Sequence, residues 1–296
     1  GAALLVVYLI ALRMRLGLGE GSRLYHWLEA RMAAYDATHR FWRLYTSARP
    51  ARRGEFPLPS LMMATTALAL FLVLAQLVTL SGHLSLLNQL VSEWFQLLRQ
   101  PLLDLPMIAF TLAGDPPVLV AAAVLATACL VFRGYYAAAI HIVVAALLTI
   151  VSVWLLKAGI GISRPDHVLS PPESGAFPSG HTAGATVLVT LAASFIAGEN
   201  AQKQRWQSYV LLSLPMIPIA VSRLYLGVHW FTDVVGGFFL GLAITGIIRA
   251  SYSRYDRVPI KAEAVSWIAL VIWLVFSVFY ISEQWALAMQ SYAPKL

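Results

Sequence analysis

Three short polar clusters interrupt the otherwise apolar sequence of this 296-residue chain. Each cluster contains a cation, a histidine or both, and the clusters are Lys157 with Arg164-Pro165, then Pro178-Ser179-Gly180-His181, and then Ser222-Arg223 with His229 and Asp233. Cationic side chains together with a histidine near a carboxylate suit chemistry at a densely charged anion, such as a phosphate ester. The clusters are therefore the residues from which a function can be argued.

The first set of residues suits the binding of a phosphate group. Lys157, Arg164 and Arg223 supply three positive charges, and the planar fork of arginine matches paired phosphate oxygens. Ser179 and Gly180 come just before a predicted helix, whose first backbone N–H groups lack partners and attract an anion. We predict that these five residues bind the substrate.

The remaining residues suit proton transfer and nucleophilic attack. His229 and Asp233 have i, i+4 spacing and share one face if the segment is helical. Asp233 can hold one imidazole nitrogen, which leaves the lone pair of the other to attack phosphorus and form a phosphohistidine. His181 can protonate the departing oxygen and then activate a water molecule. We predict His229, Asp233 and His181 as the catalytic residues.

Composition indicates the elements that must position these residues. Hydrophobic residues make up 59% of the chain and charged residues only 12%, about half the charged fraction of a soluble domain. Apolar runs of membrane-spanning length or close to it predict transmembrane helices at 58–80, 116–132, 135–157, 180–197, 207–225, 231–249 and 263–285. The net charge of +7 is then an orientation signal and does not indicate a nucleic-acid partner. Cys129 is the single cysteine, which excludes a disulfide within the chain.

Other segments are predicted to lie outside these spans. Residues 84–99 place apolar side chains at helical spacing on one face, and residues 21–45 mix tryptophans with arginines, as helices on a membrane surface do. Residues 48–59 form a linker rich in proline. Residues 1–12 are expected to be a partial span, either cut from a longer protein or left by processing.

Basic residues predict the orientation of the spans. Residues 13–53 contain nine arginines, which the positive-inside rule places in the cytoplasm. Alternating the spans from there puts sixteen of the 21 Lys and Arg residues inside. The same alternation brings all three polar clusters to the outer face, although most of the basic residues that fix it lie outside the clusters. The clusters are therefore expected to converge at one end of the bundle.

The clusters read K-x6-RP, PSGH and SR-x5-H-x3-D, and in this form they resemble the signature of the type 2 phosphatidic acid phosphatase (PAP2) superfamily. The resemblance implies an all-α, polytopic transmembrane helical bundle with a six-helix PAP2-type core at 58–250 plus extra helices. Residues 1–57 and 251–296 fall outside that core. The resemblance also implies the catalytic roles given above for His229, Asp233 and His181, with no metal and no cofactor. The start of the chain also resembles the junction of fusions in which a DedA-type membrane domain precedes the phosphatase.

The resemblance and the orientation together imply a lipid phosphatase of a bacterial inner membrane, with its active site facing the periplasm. Undecaprenyl diphosphate is the leading candidate substrate, followed by phosphatidylglycerophosphate and phosphatidic acid. A phosphotransferase that passes the group to another lipid fits the motifs equally well. A vanadate-binding haloperoxidase shares such a site, but those enzymes are soluble. A lipid transporter or scaffold with a vestigial pocket is a further alternative.

Each motif residue also has a structural interpretation. Ser179 could only cap a helix, Asp233 could be a first-turn acid, and the cations could extend to the lipid headgroups. These interpretations do not explain why the three clusters share one face. Elsewhere, His141 is expected to be a packed, hydrogen-bonded side chain. The loop residues that could touch the headgroup, or be merely solvated, are Asp166, His167 and Glu173.

Overall fold

The computed structural model describes residues 27, 30–31, 33–34, 57–81, 84–197, 205–253, 255, 260 and 264–295. The expectations for residues 1–12, for most of 21–45 and for the linker up to residue 56 concern residues outside this set.

The described part of the chain is built from α-helices, which confirms the all-α prediction. In chain order they are α1 (Pro57–Gln76), α2 (Ser85–Leu97), α3 (Pro101–Ala113), α4 (Pro116–Phe132), α5 (Tyr136–Ile160), α6 (Gly180–Ala197), α7 (Arg205–Ser213), α8 (Met216–Tyr225), α9 (Phe231–Tyr252) and α10 (Ala264–Ser291). A π-helical turn, Leu77–Ser81, extends α1.

Within the described residues, α1, α5, α9 and α10 are long and apolar enough to cross a membrane. Helices α3 and α4 pass the same test together, with a bend of 46° between them. These helices confirm the prediction of a multi-pass membrane protein. The surface-helix prediction at 84–99 corresponds to α2.

Two features of the helices differ from the sequence prediction. The span predicted at 207–225 is not one helix, because α7 and α8 are separated by a turn at Leu214–Pro215. Proline has no N–H to donate to the preceding turn, so it interrupts a helix at this point. Helix α3 was not predicted, since Asp104 and Pro106 break the apolar pattern of its sequence.

Helix α9 lies at the centre of the bundle and packs against α1 and α6. In its most apolar stretch 67% of the residues are buried, against 6% in α10 at the periphery. Glycines allow the close packing: a Cβ at Gly237 would lie 2.5 Å from the carbonyl oxygen of Ser179 on the α6 side, and one at Gly246 would lie 2.5 Å from that of Ser60 in α1. Helix α9 is thereby fixed against its neighbours.

Helix α10 packs on α3 and α4, and the residues after it return to the loop between α5 and α6. An isolated antiparallel bridge joins Val168 to Pro294, and the Leu169 N–H donates to the carbonyl of Ala293 over 3.1 Å. This contact brings the segment after α10 to the end of the bundle where the three polar clusters meet.

Candidate active site

His229 stands at the centre of the converged clusters and is 3% exposed. Its Nε2 lies 3.0 Å from Nη1 of Arg164, and its Nδ1 lies 3.1 Å from Oδ2 of Asp233. A guanidinium can only donate, so Nε2 of the ring must carry the lone pair. The proton is therefore on Nδ1, which donates a hydrogen bond to Asp233, and Nε2 is left as the ring atom that can act as a nucleophile.

Asp233 connects this histidine to the start of α9. The same oxygen, Oδ2, also accepts the backbone N–H of Trp230 over 2.7 Å and so caps the first turn of the helix. Its other oxygen, Oδ1, is buried and has no hydrogen-bond partner among the described residues. One carboxylate oxygen thus fixes both the helix terminus and the tautomer of His229.

Three cations surround His229 and are called here the cationic cup: Lys157, Arg164 and Arg223. Lys157 Nζ donates to the carbonyl of Gly175 over 2.6 Å, and Arg164 donates to the carbonyls of Ser174 (3.0 Å) and Val228 (2.7 Å). None of the ion pairs in the described part of the chain includes a cation of the cup. The cup is therefore held by neutral oxygens and keeps its positive charge.

Arg223 completes the cationic cup from α8 and is 1% exposed. Its Nη1 donates to the hydroxyl of Thr111 and, over 3.2 Å, to the hydroxyl of Tyr292, whose ring it also faces. Its Nε is buried without a hydrogen-bond partner among the described residues. A phosphate oxygen suits this unsatisfied donor.

The electrostatics of the site favour a neutral nucleophile between charged cations. Burial lowers the pKa of His229 well below its ordinary value of 6.5, and the positive charges of the cup lower it further. Burial and the neighbouring Arg223 lower the pKa of Arg164 to about 10. At neutral pH His229 is therefore unprotonated while Arg164 is charged.

The PSGH cluster lies where α6 begins. The Ser179 hydroxyl accepts from the Thr182 hydroxyl over 3.1 Å, and the Ser179 N–H donates to the carbonyl of Asp233 over 2.9 Å. The Thr182 N–H lies 3.5 Å from the Ser179 hydroxyl, a long form of the cap that the structural interpretation expects. A Cβ added at Gly180 would lie 3.3 Å from a methyl of Val153, so little room remains there. The structure places both residues beside the cup, and their contact with substrate stays a prediction.

His181, the remaining member of that cluster, is bound by a residue that sequence reasoning missed. Its Nε2 lies 2.6 Å from Oδ1 of Asp115, which immediately precedes α4. Thr111 and Tyr292, which contact Arg223, were missed as well, as was Tyr280 beside Asp115. All four belong to the α3–α4 pair or to α10 and the residues after it, and none lies within a predicted motif.

Helix α2 also holds the site, through polar residues spaced by four. Asn88 accepts from the Thr232 N–H and donates to its hydroxyl, Ser92 bonds to His167 over 2.8 Å, and Gln96 donates to a backbone carbonyl in α8. This regular polar stripe opposite an apolar face was the sequence signal for such contacts. His141 lies apart from the site, hydrogen-bonded to Ser251 over 3.0 Å.

Two cavities adjoin the site. One of about 470 Å³ is lined by loop residues 161–166 and 171–175 and therefore lies beside Arg164, Asp166 and Glu173. The other, of about 90 Å³, is an apolar groove between α4, α5 and α6 that includes Pro116 and Gly184. Gly184 lies about one helical turn after His181, so the apolar groove comes close to the start of α6.

Residues 137–257 match the sequence profile of the PAP2 superfamily. The chain is 33% identical to phosphatidylglycerophosphatase B of Bacillus subtilis over 35% of its own length and 52% of that protein. It is 39% identical to the putative undecaprenyl-diphosphatase YbjG of Escherichia coli over 22% of the chain and 29% of that protein. The chain thus spans about half or less of the length of these relatives. A transmembrane PAP2-type phosphatidylglycerolphosphate phosphatase from Bacillus subtilis, solved by crystallography, shares 25% identity and a TM-score of 0.57, covering 66% of this chain and 98% of that one.

Proposed function

We propose, from the premise that residues 137–257 form a PAP2 superfamily domain, that this protein hydrolyses a phosphate or diphosphate ester of a membrane lipid. The observation that carries the proposal is the tautomer of His229. Its Nδ1–H is bound by Asp233 and its Nε2 lone pair faces the cationic cup. An imidazole held in this way is prepared to attack a phosphorus atom bound by the same cations.

In the first step, Nε2 of His229 attacks phosphorus and the bond from phosphorus to the lipid oxygen breaks. Arg164 leaves Nε2 and donates to a phosphate oxygen, where its charge offsets the charge that develops in the transition state. His181 enters this step as the imidazolium, because the bound phosphate offsets the positive charge of the cup, and it gives one of its two ring protons to the departing oxygen. The products are a lipid alcohol, or a lipid monophosphate from a diphosphate, and phosphohistidine at His229.

In the second step, a water molecule attacks the phosphohistidine. His181, now neutral, takes a proton from this water as the new P–O bond forms and the P–N bond breaks. Inorganic phosphate leaves, and both histidines return to their starting protonation states. The net reaction consumes one water for each phosphate released.

The lipid substrate and the outer face are supported by the surroundings of the site. The apolar groove includes Gly184, one helical turn after His181, and can receive the lipid tail of the leaving group. The positive-inside distribution of Lys and Arg supports a site at the periplasmic face of a bacterial inner membrane. The names of the relatives suggest phosphatidylglycerophosphate and undecaprenyl diphosphate, and we favour the latter as a product of envelope synthesis on that face.

A radiolabelled lipid panel tests the proposal. Purified protein in mixed micelles is given undecaprenyl diphosphate, phosphatidylglycerophosphate or phosphatidic acid, and free phosphate is separated from phosphate transferred to another lipid. We expect free phosphate from at least one lipid and an acid-labile, histidine-linked phosphate after rapid quenching. His229→Ala is expected to lower turnover by about 1,000-fold or more, while His141→Gln, at a histidine remote from the site, keeps it.

Four results contradict the proposal or a part of it. Transfer of the label to a second lipid with no free phosphate identifies a phosphotransferase. Inactive wild-type protein on the whole panel supports a transporter or scaffold. Near-normal turnover in His229→Ala shows that His229 is not the nucleophile. In sealed vesicles of defined orientation, hydrolysis only of lipid in the cytoplasmic leaflet contradicts the periplasmic site.

A further inference from the structure

A hydrogen-bonded chain of three side chains reaches the site from helices that carry no motif. The hydroxyl of Tyr280 in α10 lies 3.0 Å from Oδ2 of Asp115, and the other oxygen of Asp115 lies 2.6 Å from Nε2 of His181. The side chains of Asp115 and His181 are 16% and 15% exposed. Helix α10 is anchored next to them, because Trp273 donates to the carbonyl of Val118 over 3.1 Å.

The direction of each hydrogen bond follows from chemistry. An ionised carboxylate only accepts, so Nε2–H of His181 and the hydroxyl of Tyr280 both donate to Asp115. Both oxygens of Asp115 are thereby occupied. Nδ1 of His181 is then the ring nitrogen that can exchange a proton with the substrate or with water.

The start of α4 explains why this carboxylate is available. An aspartate at this position ordinarily accepts the first N–H groups of its own helix. Here Pro116 and Pro117 fill the first two positions and have no N–H, and the Val118 N–H donates to the backbone carbonyl of Asp115 over 3.0 Å. No hydrogen bond from the Asp115 side chain caps the helix. Its carboxylate is therefore free to accept hydrogen bonds from His181 and Tyr280.

We infer that Asp115 is a positioning residue for His181 in the proposed reaction, and that Tyr280 holds Asp115 in place. This inference rests on the proposed role of His181 in proton transfer. Asp115 keeps the imidazole in one orientation with Nδ1 toward the leaving group, and its charge stabilises the imidazolium that carries the proton. Both residues lie outside the matched region 137–257, so α4 and α10 contribute to the site from beyond that domain.

Two substrates distinguish a positioning role from a purely structural one. An alkyl phosphate needs a proton on its departing oxygen, whereas p-nitrophenolate leaves without one. Release of the leaving group is followed in a single turnover by rapid mixing, with a short-chain phosphatidic acid and with p-nitrophenyl phosphate. For Asp115→Asn we expect the alkyl rate to fall about 10- to 100-fold, while the p-nitrophenyl rate stays within about threefold. Asp115→Glu is expected to recover part of the alkyl rate.

Tyr280→Phe tests the chain without changing a charge. Loss of one hydrogen bond to a carboxylate predicts an alkyl rate lower by about tenfold, again with little change for p-nitrophenyl phosphate. Tyr136→Phe is the matched control, since Tyr136 lies at the start of α5 and is 62% exposed. A selective loss in Tyr280→Phe and Asp115→Asn, absent from Tyr136→Phe, supports the inference.

The outcomes separate this inference from the proposed function. Equal losses on both substrates in Asp115→Asn and Tyr280→Phe show that these side chains only tie α4, α6 and α10 together, and overturn the inference. Unchanged rates on both substrates overturn it as well. If wild-type protein releases no leaving group from either ester, or if His229→Ala releases it normally, the proposed function itself fails.

Discussion

Replacing Asp233 by asparagine separates the charge of this residue from its hydrogen bonds. Oδ2 of Asp233 accepts both the His229 ring and the Trp230 N–H, whereas Oδ1 has no hydrogen-bond partner among the described residues. An asparagine can place its carbonyl oxygen at the Oδ2 position and its amide nitrogen at the Oδ1 position. The tautomer of His229 and the cap of α9 are then kept, and only the negative charge is lost. Asp233→Ala loses the tautomer, the cap and the negative charge together.

The distance between the two groups sets the size of the effect. Attack on phosphorus makes the His229 ring cationic, about 3 Å from the carboxylate, where the Coulomb energy is about 5 kcal/mol at an effective dielectric constant of 20. Solvation and reorganisation reduce this, and hydrogen bonds to charged groups contribute about 1.5–3 kcal/mol. At 1.36 kcal/mol for each factor of ten, kcat of Asp233→Asn is expected to fall about 10- to 150-fold. Asp233→Ala also loses the tautomer, so we expect about 1,000-fold or more.

Steady-state hydrolysis of the preferred lipid phosphate in mixed micelles, with thermal unfolding measured on the same samples, checks this prediction. Asp233→Asn is expected to unfold close to the wild-type temperature, because the cap of α9 is preserved, while Asp233→Ala unfolds earlier. Equal losses of kcat in the two variants, at equal unfolding temperatures, refute the separation of charge from orientation. An asparagine variant with wild-type kcat refutes the role of the carboxylate charge.

Three further predictions concern the same site. Because His229 must be neutral to attack and its pKa is lowered well below 6.5, activity is expected to persist as the pH falls through 6.5. Arg164→Gln removes a positive charge beside His229, so it is expected to raise the pKa of His229 and to move the acid limb of kcat/KM to higher pH. Arg164→Lys keeps the charge and is expected to leave the acid limb in place. Ala146→Phe puts a ring into the apolar groove. If roughly two methylenes of a long-chain lipid lose their burial there, kcat/KM for that lipid falls about tenfold, whereas kcat/KM for p-nitrophenyl phosphate is expected to stay unchanged. EDTA is expected to leave turnover unchanged, and inhibition that a divalent ion reverses contradicts the metal-free mechanism.

The parts of the fold that depend on local pattern were predictable from the sequence. Helices at 116–132 and 180–197 follow from apolar length, and their bounds agree with α4 and α6. As membrane spans, α4 qualifies only together with α3, and α6 is shorter than the helices that qualify. The three motifs were sufficient to identify the PAP2 resemblance, which the match at 137–257 confirms. Motif spacing brought His229 and Asp233 together, but not on a helix face: α9 begins at Phe231, so His229 lies in the turn before the helix and contacts Asp233 in its first turn.

The parts that depend on distant contacts were not predictable. Asp115 is 66 residues from His181 and 165 from Tyr280, and no periodicity links positions so far apart. An aspartate before a helix is ordinarily a cap, and a tyrosine near the end of a span ordinarily marks the membrane interface. Only the packing of α10 against α3 and α4 gives these residues a common neighbour. The turn at Leu214–Pro215 was missed because both flanking segments are apolar.

The carbonyl partners of the cationic cup bear on how readily the product departs. Peptide oxygens orient Lys157 and Arg164 without neutralising them, so the cup attracts any tetrahedral oxyanion, whether or not it carries a lipid. Inorganic phosphate released inside the cup has one more ionisable oxygen than the monoester from which it came. In the proposed reaction, the feature that draws the substrate in would therefore also lengthen the residence time of the product, and we expect turnover to respond to the phosphate concentration of the compartment that the site faces.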